Sequence, residues 1–180
     1  MPERLNGQVS KTLGVVRPTR VRISPLPPMQ REFSAGGIVY KKLKAQSSKL
    51  KSKDMLWLVC QHSQHKGWVF PKGLIGDHKE GETSEETAVR EVEEETGAKG
   101  KIIKRLKKPA TYFYTWQGEK RFKTVYYYLM EYVSGDIKNH DHEMSAVIWS
   151  PTEKVLETLT YKSDKEAFKE VLELITELPL

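Results

Sequence analysis

Apolar and polar positions follow two different rhythms along the chain, and the rhythm assigns most of the elements. Short apolar runs suited to strands occupy residues 37–40, 55–60 and 68–70, the last ended by the breaker Pro71-Lys72-Gly73. Residues 84–96 read instead as a helix. Thr83 and Glu86 stand at the spacing of a reciprocal cap, Ala88, Val89 and Val92 supply an apolar stripe, and Gly97 supplies the stop. Strand-like segments follow at 101–106, 110–116 and 123–132, with Gln117-Gly118-Glu119 as a hairpin turn between the last two. Residues 145–149 form a further strand, and Pro151 opens a short helix. Ser163 and Glu166 cap a final amphipathic helix whose apolar residues, Ala167, Phe168, Val171, Leu172, Leu174, Ile175 and Leu178, recur at helical spacing. Several strands, a helix, more strands and a last helix predict a layered domain of α/β or α+β class.

Length and charge refine this picture at the edges. A chain of 180 residues fits one domain with a tail. The tail is residues 1–30, where Arg4, Lys11, Arg17, Arg20 and Arg22 face the single acid Glu3 and the run ends in Ser24-Pro25-Leu26-Pro27-Pro28, which resists helix and central strand alike. The domain is residues 31–180, interrupted by a lysine-rich segment, 42–53, that reads as a mobile basic hairpin loop. The net charge of +6 is concentrated in these two segments, so it reads as solvation, and nucleic acid is not the favoured partner. No run is long and apolar enough to span a bilayer, and no apolar run follows the N-terminal charges as a secretory signal would require. The single cysteine, Cys60, lies in an apolar run and reads as a core thiol. Together these features suggest a cytoplasmic protein, monomer or homodimer.

The chemistry concentrates in Arg90-Glu91-Val92-Glu93-Glu94-Glu95. Residues three and four apart share a helix face, so Glu91, Glu94 and Glu95 point the same way with Arg90 beside them. Carboxylates gathered in this way repel one another. A hard divalent cation relieves the repulsion, and Mg²⁺ prefers carboxylate, water and phosphate oxygens.

The wider spacing is more specific. Glu82 is followed by seven residues, then Arg90-Glu91, an aliphatic residue, any residue, Glu94-Glu95, any residue, Gly97 and Ala98. This resembles the Nudix box, with Ala98 a weak match at its last, aliphatic place. Gly76 fills the first glycine by count, but in relatives that glycine closes a Phe-Pro-Lys-Gly turn, which here is Phe70-Pro71-Lys72-Gly73. The segment between Gly73 and Gly81 thus reads as a loop enlarged by three residues, with the box glycine open between Gly73 and Gly76. Ser34-Ala35-Gly36-Gly37-Ile38-Val39-Tyr40 looks like the family's opening strand. Trp68-Val69-Phe70-Pro71-Lys72-Gly73 and Val125-Tyr126-Tyr127-Tyr128-Leu129-Met130 are similar to segments of bacterial diadenosine polyphosphate hydrolases. The resemblance covers about residues 33–178.

What the resemblance implies is an α/β/α sandwich around a mixed sheet and a hydrolase of phosphoanhydrides using Mg²⁺ or Mn²⁺. Glu91, Glu94 and Glu95 become metal ligands, with a backbone carbonyl from the Gly73 turn. Arg90 orients the acids, and Glu82 holds Arg90. The general base is a box glutamate, Glu91 or Glu94, or else Glu143, which precedes a late strand. Lys72 is expected on substrate phosphate, and Tyr112, Tyr114, Tyr126 and Tyr128 are candidates for stacking on a base. The preferred substrate is a dinucleoside polyphosphate. Removal of pyrophosphate from RNA 5′ ends is the enzymatic alternative, and a non-catalytic nucleotide-sensing module is the alternative of another class.

Overall fold

A computed structural model describes residues 29–43 and 54–177. Most of the basic tail, the interior of the basic loop at 44–53, and Leu178 lie outside the described residues. In chain order the elements are β1 (Gln30–Lys42), β2 (Met55–His62), β3 (Trp68–Val69), β4 (Lys72–Leu74), α1 (Ser84–Thr96), β5 (Ala98–Arg105), β6 (Ala110–Trp116), β7 (Glu119–Gly135), a 3-10 turn (Ile137–Asn139), β8 (Met144–Pro151), α2 (Thr152–Thr158) and α3 (Lys162–Glu177). The strands form one sheet with the order β3-β2-β1-β7-β5. β4 joins β1, β6 joins β7 and β8 joins β2. β1 and β7 run parallel and the other pairs antiparallel, so the sheet is mixed, as expected.

Alternation along the strands gives the sheet two apolar faces. Ile38, Tyr40, Trp57, Val59, Tyr127 and Leu129 pack on one side against Phe168, Val171 and Leu174 of α3. Val39, Leu58, Cys60, Tyr128 and Met130 pack on the other against Ala88 and Val92 of α1. Helices on both faces make the α/β/α sandwich. Cys60 is buried, as its apolar run suggested. β1 is flanked by β4 at Ser34–Gly36 and by β2 at Tyr40–Lys42. The N-terminal half of β1 therefore leaves β2, and the resulting split brings β4 beneath α1.

The cap of α1 forms as the spacing predicts. Glu86 N–H donates to Thr83 Oγ1 at 3.2 Å, and Thr83 N–H donates to the Glu86 carboxylate at 2.8 Å. Gly97 ends the helix at φ 68°, the left-handed region that glycine enters without a Cβ penalty. Other details differ from expectation. Val89 lies outward, 36% exposed, so the buried stripe is Thr87, Ala88, Glu91, Val92, Glu95 and Thr96. α3 begins at Lys162, with Lys165 N–H donating to Tyr161 C=O, so Ser163 lies within its first turn instead of capping it. β7 runs through 17 residues, well beyond 123–132, because it has β1, β5 and β6 as partners. The turn before it has Gln117 and Gly118 both at positive φ, the twist that suits a two-residue hairpin.

Candidate active site

Helix α1 carries the acids at two depths. Glu91 and Glu95 are each under a tenth exposed, whereas the Glu94 side chain is 46% exposed at the rim. Arg90 ties the group together. Its Nε and Nη2 donate to the two Glu82 oxygens at 2.8 and 3.0 Å. Nη1 donates to Glu91 at 2.7 Å and Glu94 at 2.8 Å, and Nη2 also reaches Asp77 at 3.0 Å. Hydrogen bonds from Arg90 and Thr87 and the Gly76 backbone pull Glu82 down to about 2. Arg90 is correspondingly held cationic, chiefly by Glu82. Glu82 thus anchors Arg90, and Arg90 holds the Glu91 and Glu94 carboxylates.

Strand β4 supplies the opposite wall. Gly73 lies so close to Glu91 that a Cβ there would fall 1.9 Å from Glu91 Oε1. Gly73 is therefore the glycine at the acids, while Gly76 occupies the enlarged loop at φ 81°. Lys72 N–H donates to Glu95 Oε2 at 2.9 Å, and Lys72 Nζ lies 3.5 Å from Phe70 C=O. Burial pushes the carboxyls up, Glu91 to about 7 against the pull of Arg90, and Glu95 to about 8 against that of Lys72. Burial alone would lower the Lys72 ammonium, but Asp164 and Glu95 help to lift it to about 12.

These groups line one cleft of about 1960 Å³, bounded by α1, β4, β6, α3 and the turn before β8. Lys72, Gly73, Arg90, Glu91, Glu94, Glu95, Tyr112, Tyr114 and Glu143 all border it. Glu143 sits on the turn before β8, its N–H donating to Asp141 Oδ1 at 2.9 Å and its C=O accepting from Ser63 N–H at 2.7 Å. Glu82 lies behind Arg90.

Two expected substrate contacts are corrected. Tyr112 opposes Lys123 across β6 and β7, and directly opposed residues share a face. Both line the cleft. Tyr126 and Tyr128 have the other parity and face α1. The Arg105 guanidinium covers the Tyr126 ring at 4.4 Å, and the Tyr128 hydroxyl lies 2.7 Å from Ser84 Oγ. Neither tyrosine borders the cleft.

The cleft also holds groups that sequence reasoning missed. Asp164 is buried and accepts from the Tyr127 hydroxyl at 2.8 Å. It occupies a core position of α3 in step with Phe168, Val171 and Ile175, and an acid on an apolar stripe was the available signal. Asp77 comes from the enlarged loop. Glu32 accepts from the Tyr114 hydroxyl at 2.5 Å and from Arg121 Nη1 at 2.7 Å, an association over 80 residues of chain that no local pattern announces.

The donors suit a hard cation. They are carboxylate oxygens, two of them buried deeply enough that the neutral acid is favoured despite Arg90 and Lys72 nearby, and a divalent cation would offset that cost. Among the described residues, no three His, Cys, Asp or Glu side chains already form a finished cation-binding group. Arg90 draws the Glu91 and Glu94 oxygens toward itself.

Comparison with known proteins agrees with the fold. The NUDIX domain profile matches residues 48–171. MutT4 of Mycobacterium tuberculosis is 36% identical over 111 residues, 62% of this chain and 43% of that protein. An 8-oxo-(d)GTP phosphatase of Mycolicibacterium smegmatis is 31% identical over 111 residues, 62% of this chain and 32% of that protein. The chain thus matches less than half the length of these curated relatives. In a binary complex of the Caenorhabditis elegans Ap4A hydrolase, the likeness covers 82% of this chain and 99% of that one, with a TM-score of 0.62 at 23% identity, a likeness of fold. With the profile covering more than half of its residues and helices on both faces of a mixed sheet, the chain belongs to the Nudix family.

Proposed function

We propose that the protein is a metal-dependent pyrophosphohydrolase that cleaves a phosphoanhydride bond in a nucleoside diphosphate-linked substrate, with dinucleoside polyphosphates preferred. The observation that carries this reading is one cleft bordered together by Lys72 and the buried carboxylates Glu91 and Glu95, Glu91 beside Gly73 and Glu95 accepting from Lys72 N–H. A chain of phosphates repels an attacking nucleophile, so catalysis consists of positioning and charge neutralisation. Glu91, Glu94 and Glu95, with the Gly73 backbone carbonyl, would hold Mg²⁺ or Mn²⁺. When bound, such a cation supplies positive charge to the phosphates and acidifies water. Arg90 keeps the acids oriented and takes no part in the bond change. Lys72 binds phosphate. Glu143 accepts the proton of the attacking water as the phosphorus–oxygen bond to the leaving phosphate breaks.

The preference for a long substrate rests on size and charge. Small-ligand sites commonly occupy about 300–1,000 Å³, and this cleft is roughly twice the upper figure. Lys107, Lys108, Lys123, Lys162 and Lys169 also border it, enough cations to follow several phosphates.

The test is to incubate the full chain and Mg²⁺ or Mn²⁺ with dinucleoside polyphosphates, nucleoside triphosphates, 8-oxo-dGTP, ADP-ribose, and RNA carrying 5′-triphosphate or NAD. Consumption of the dinucleotides with release of mononucleotides is expected. Consumption of RNA alone would overturn the substrate class. Full activity in both Glu94→Gln and Glu95→Gln would overturn the mechanism.

A further inference from the structure

The turn joining β2 to β3 builds an aromatic cluster that the hydrolytic chemistry does not use. His62, ending β2, and His65, in the turn, lie face to face with ring centroids 4.1 Å apart and planes 15° from parallel. Tyr161, just before α3, meets His65 edge-on at 5.8 Å. Gly67 N–H donates to His65 Nδ1 at 3.1 Å, which makes that nitrogen an acceptor, so the Tyr161 hydroxyl, also at 3.1 Å, donates to it.

The backbone is bent to permit this. Lys66 stands at φ 56°, a conformation that residues with a Cβ enter infrequently. A Cβ on Gly67 would fall 2.8 Å from the Tyr161 ring and 2.9 Å from His65 Nδ1, so no side chain fits between them. The Tyr161 side is anchored as well. Trp68 N–H donates to Thr160 Oγ1 at 2.9 Å, and Thr160 N–H donates to Trp68 C=O at 3.0 Å. A reversal of chain direction requires none of these rings, and strained backbone tends to persist where a site is held ready. His65 and Tyr161 remain exposed, and His62, Gln64, His65 and Tyr161 all border the cleft that holds Lys72. Partial burial and the Lys72 charge, with His62 adding to them at His65, lower both histidines from their ordinary range, which favours the neutral rings and their π faces.

We infer that the His62–His65–Tyr161 cluster is a nucleobase platform, on which the base of a nucleotide stacks while its phosphates reach Lys72 and the α1 acids. A neutral cluster of stacked and edge-on rings beside a cation and a bed of carboxylates suits a ligand that is aromatic at one end and anionic at the other. Stacking uses the π face that every base has, so the platform accepts purines and pyrimidines alike. The inference rests on the reading of the cleft as a nucleotide site, but it concerns the base and not the bond that breaks.

The test uses ligands that cannot be hydrolysed. With Mg²⁺ present, α,β-methylene-ADP, α,β-methylene-UDP and the base-free methylenediphosphonate are titrated calorimetrically into the full chain and into His65→Ala, Tyr161→Ala and Tyr161→Phe. Both alanine variants are expected to bind the two nucleotide analogues about ten-fold more weakly, a change of about 1.4 kcal/mol. Methylenediphosphonate binding stays unchanged, and Tyr161→Phe, which keeps the ring, binds like the parent. The inference falls if the alanine variants lose all three ligands equally, if neither loses the nucleotides, or if the parent binds the base-free ligand as tightly as the analogues. A protein that shows the expected pattern yet hydrolyses nothing keeps this inference and loses the hydrolase reading. Hydrolysis with an unaltered KM in both alanine variants does the reverse.

Discussion

Glu95→Gln should make the metal-free protein more stable at alkaline pH while abolishing most turnover. Burial raises the Glu95 carboxyl from 4.5 to about 8. Below pH 4.5 both folded and unfolded chains carry the proton. Between 4.5 and about 8 the unfolded chain releases it while the folded chain retains it, so the folded state is progressively disfavoured as pH rises through that window. The displacement, at about 1.4 kcal/mol per pH unit, sets an upper bound of roughly 5 kcal/mol on the penalty above pH 8. Relaxation and water entry reduce such penalties, and a value on the order of 2–3 kcal/mol is the working figure. Glutamine keeps the acceptor for Lys72 N–H and removes the titration, and Asp164 remains near the Lys72 ammonium. The assay is urea unfolding in EDTA at pH 5.5, 7 and 8.5 for parent and variant. The gap between them should widen from about 1 kcal/mol at pH 5.5 to about 2–3 kcal/mol in the variant's favour at pH 8.5, the latter roughly 4–12 °C in Tm for a chain of this size. Mg²⁺ or Mn²⁺ should then restore the parent and leave the variant unmoved. Parallel pH curves, or a parent that gains on the variant as pH rises, would refute the assignment of Glu95 as a carboxyl whose burial outweighs the pull of Lys72.

Three further outcomes follow from the same geometry. Gly73→Ala puts a Cβ 1.9 Å from Glu91 Oε1 and must displace that carboxylate, so kcat should fall by about 100-fold or more with the circular-dichroism spectrum unchanged. Arg90→Gln removes the cation shared by Glu82, Glu91, Glu94 and Asp77; unfolding at pH 8 should cost about 2–4 kcal/mol less than in the parent, and Glu82→Gln in the same background should recover part of the loss. Glu143→Gln should lower kcat by about 10²–10⁴-fold with little change in KM, and a variant with parental kcat would return the base to a box glutamate.

How much of this was legible from the chain depends on how far apart the cooperating residues lie. Helix α1 could be read because its determinants are local. The cap at Thr83 and Glu86, the stop at Gly97 and the acid face all sit within a few turns of one another, and 3.6-residue geometry converts spacing directly into direction. The same geometry set Arg90 beside Glu91 and Glu94. Strands gave less. A period of two separates two faces but does not say which one a ligand meets, and Tyr112 and Tyr126 looked equivalent until the pairing of Tyr112 with Lys123 fixed the parity of β7. Strand length was hidden for a related reason. The ends of β7 are held by hydrogen bonds to β1, β5 and β6, and those partners are remote in sequence. Least legible were the contacts made only once the sheet has folded. Asp164 meets Tyr127, Glu32 meets Arg121, and His65 meets Tyr161 across 96 residues. The Nudix family's defining chemistry therefore resides in the readable helix, whereas the residues that would hold the rest of the substrate sit on β1, β6, α3 and the β2–β3 turn. A short motif can consequently identify the reaction class while leaving the substrate to be read from folded geometry.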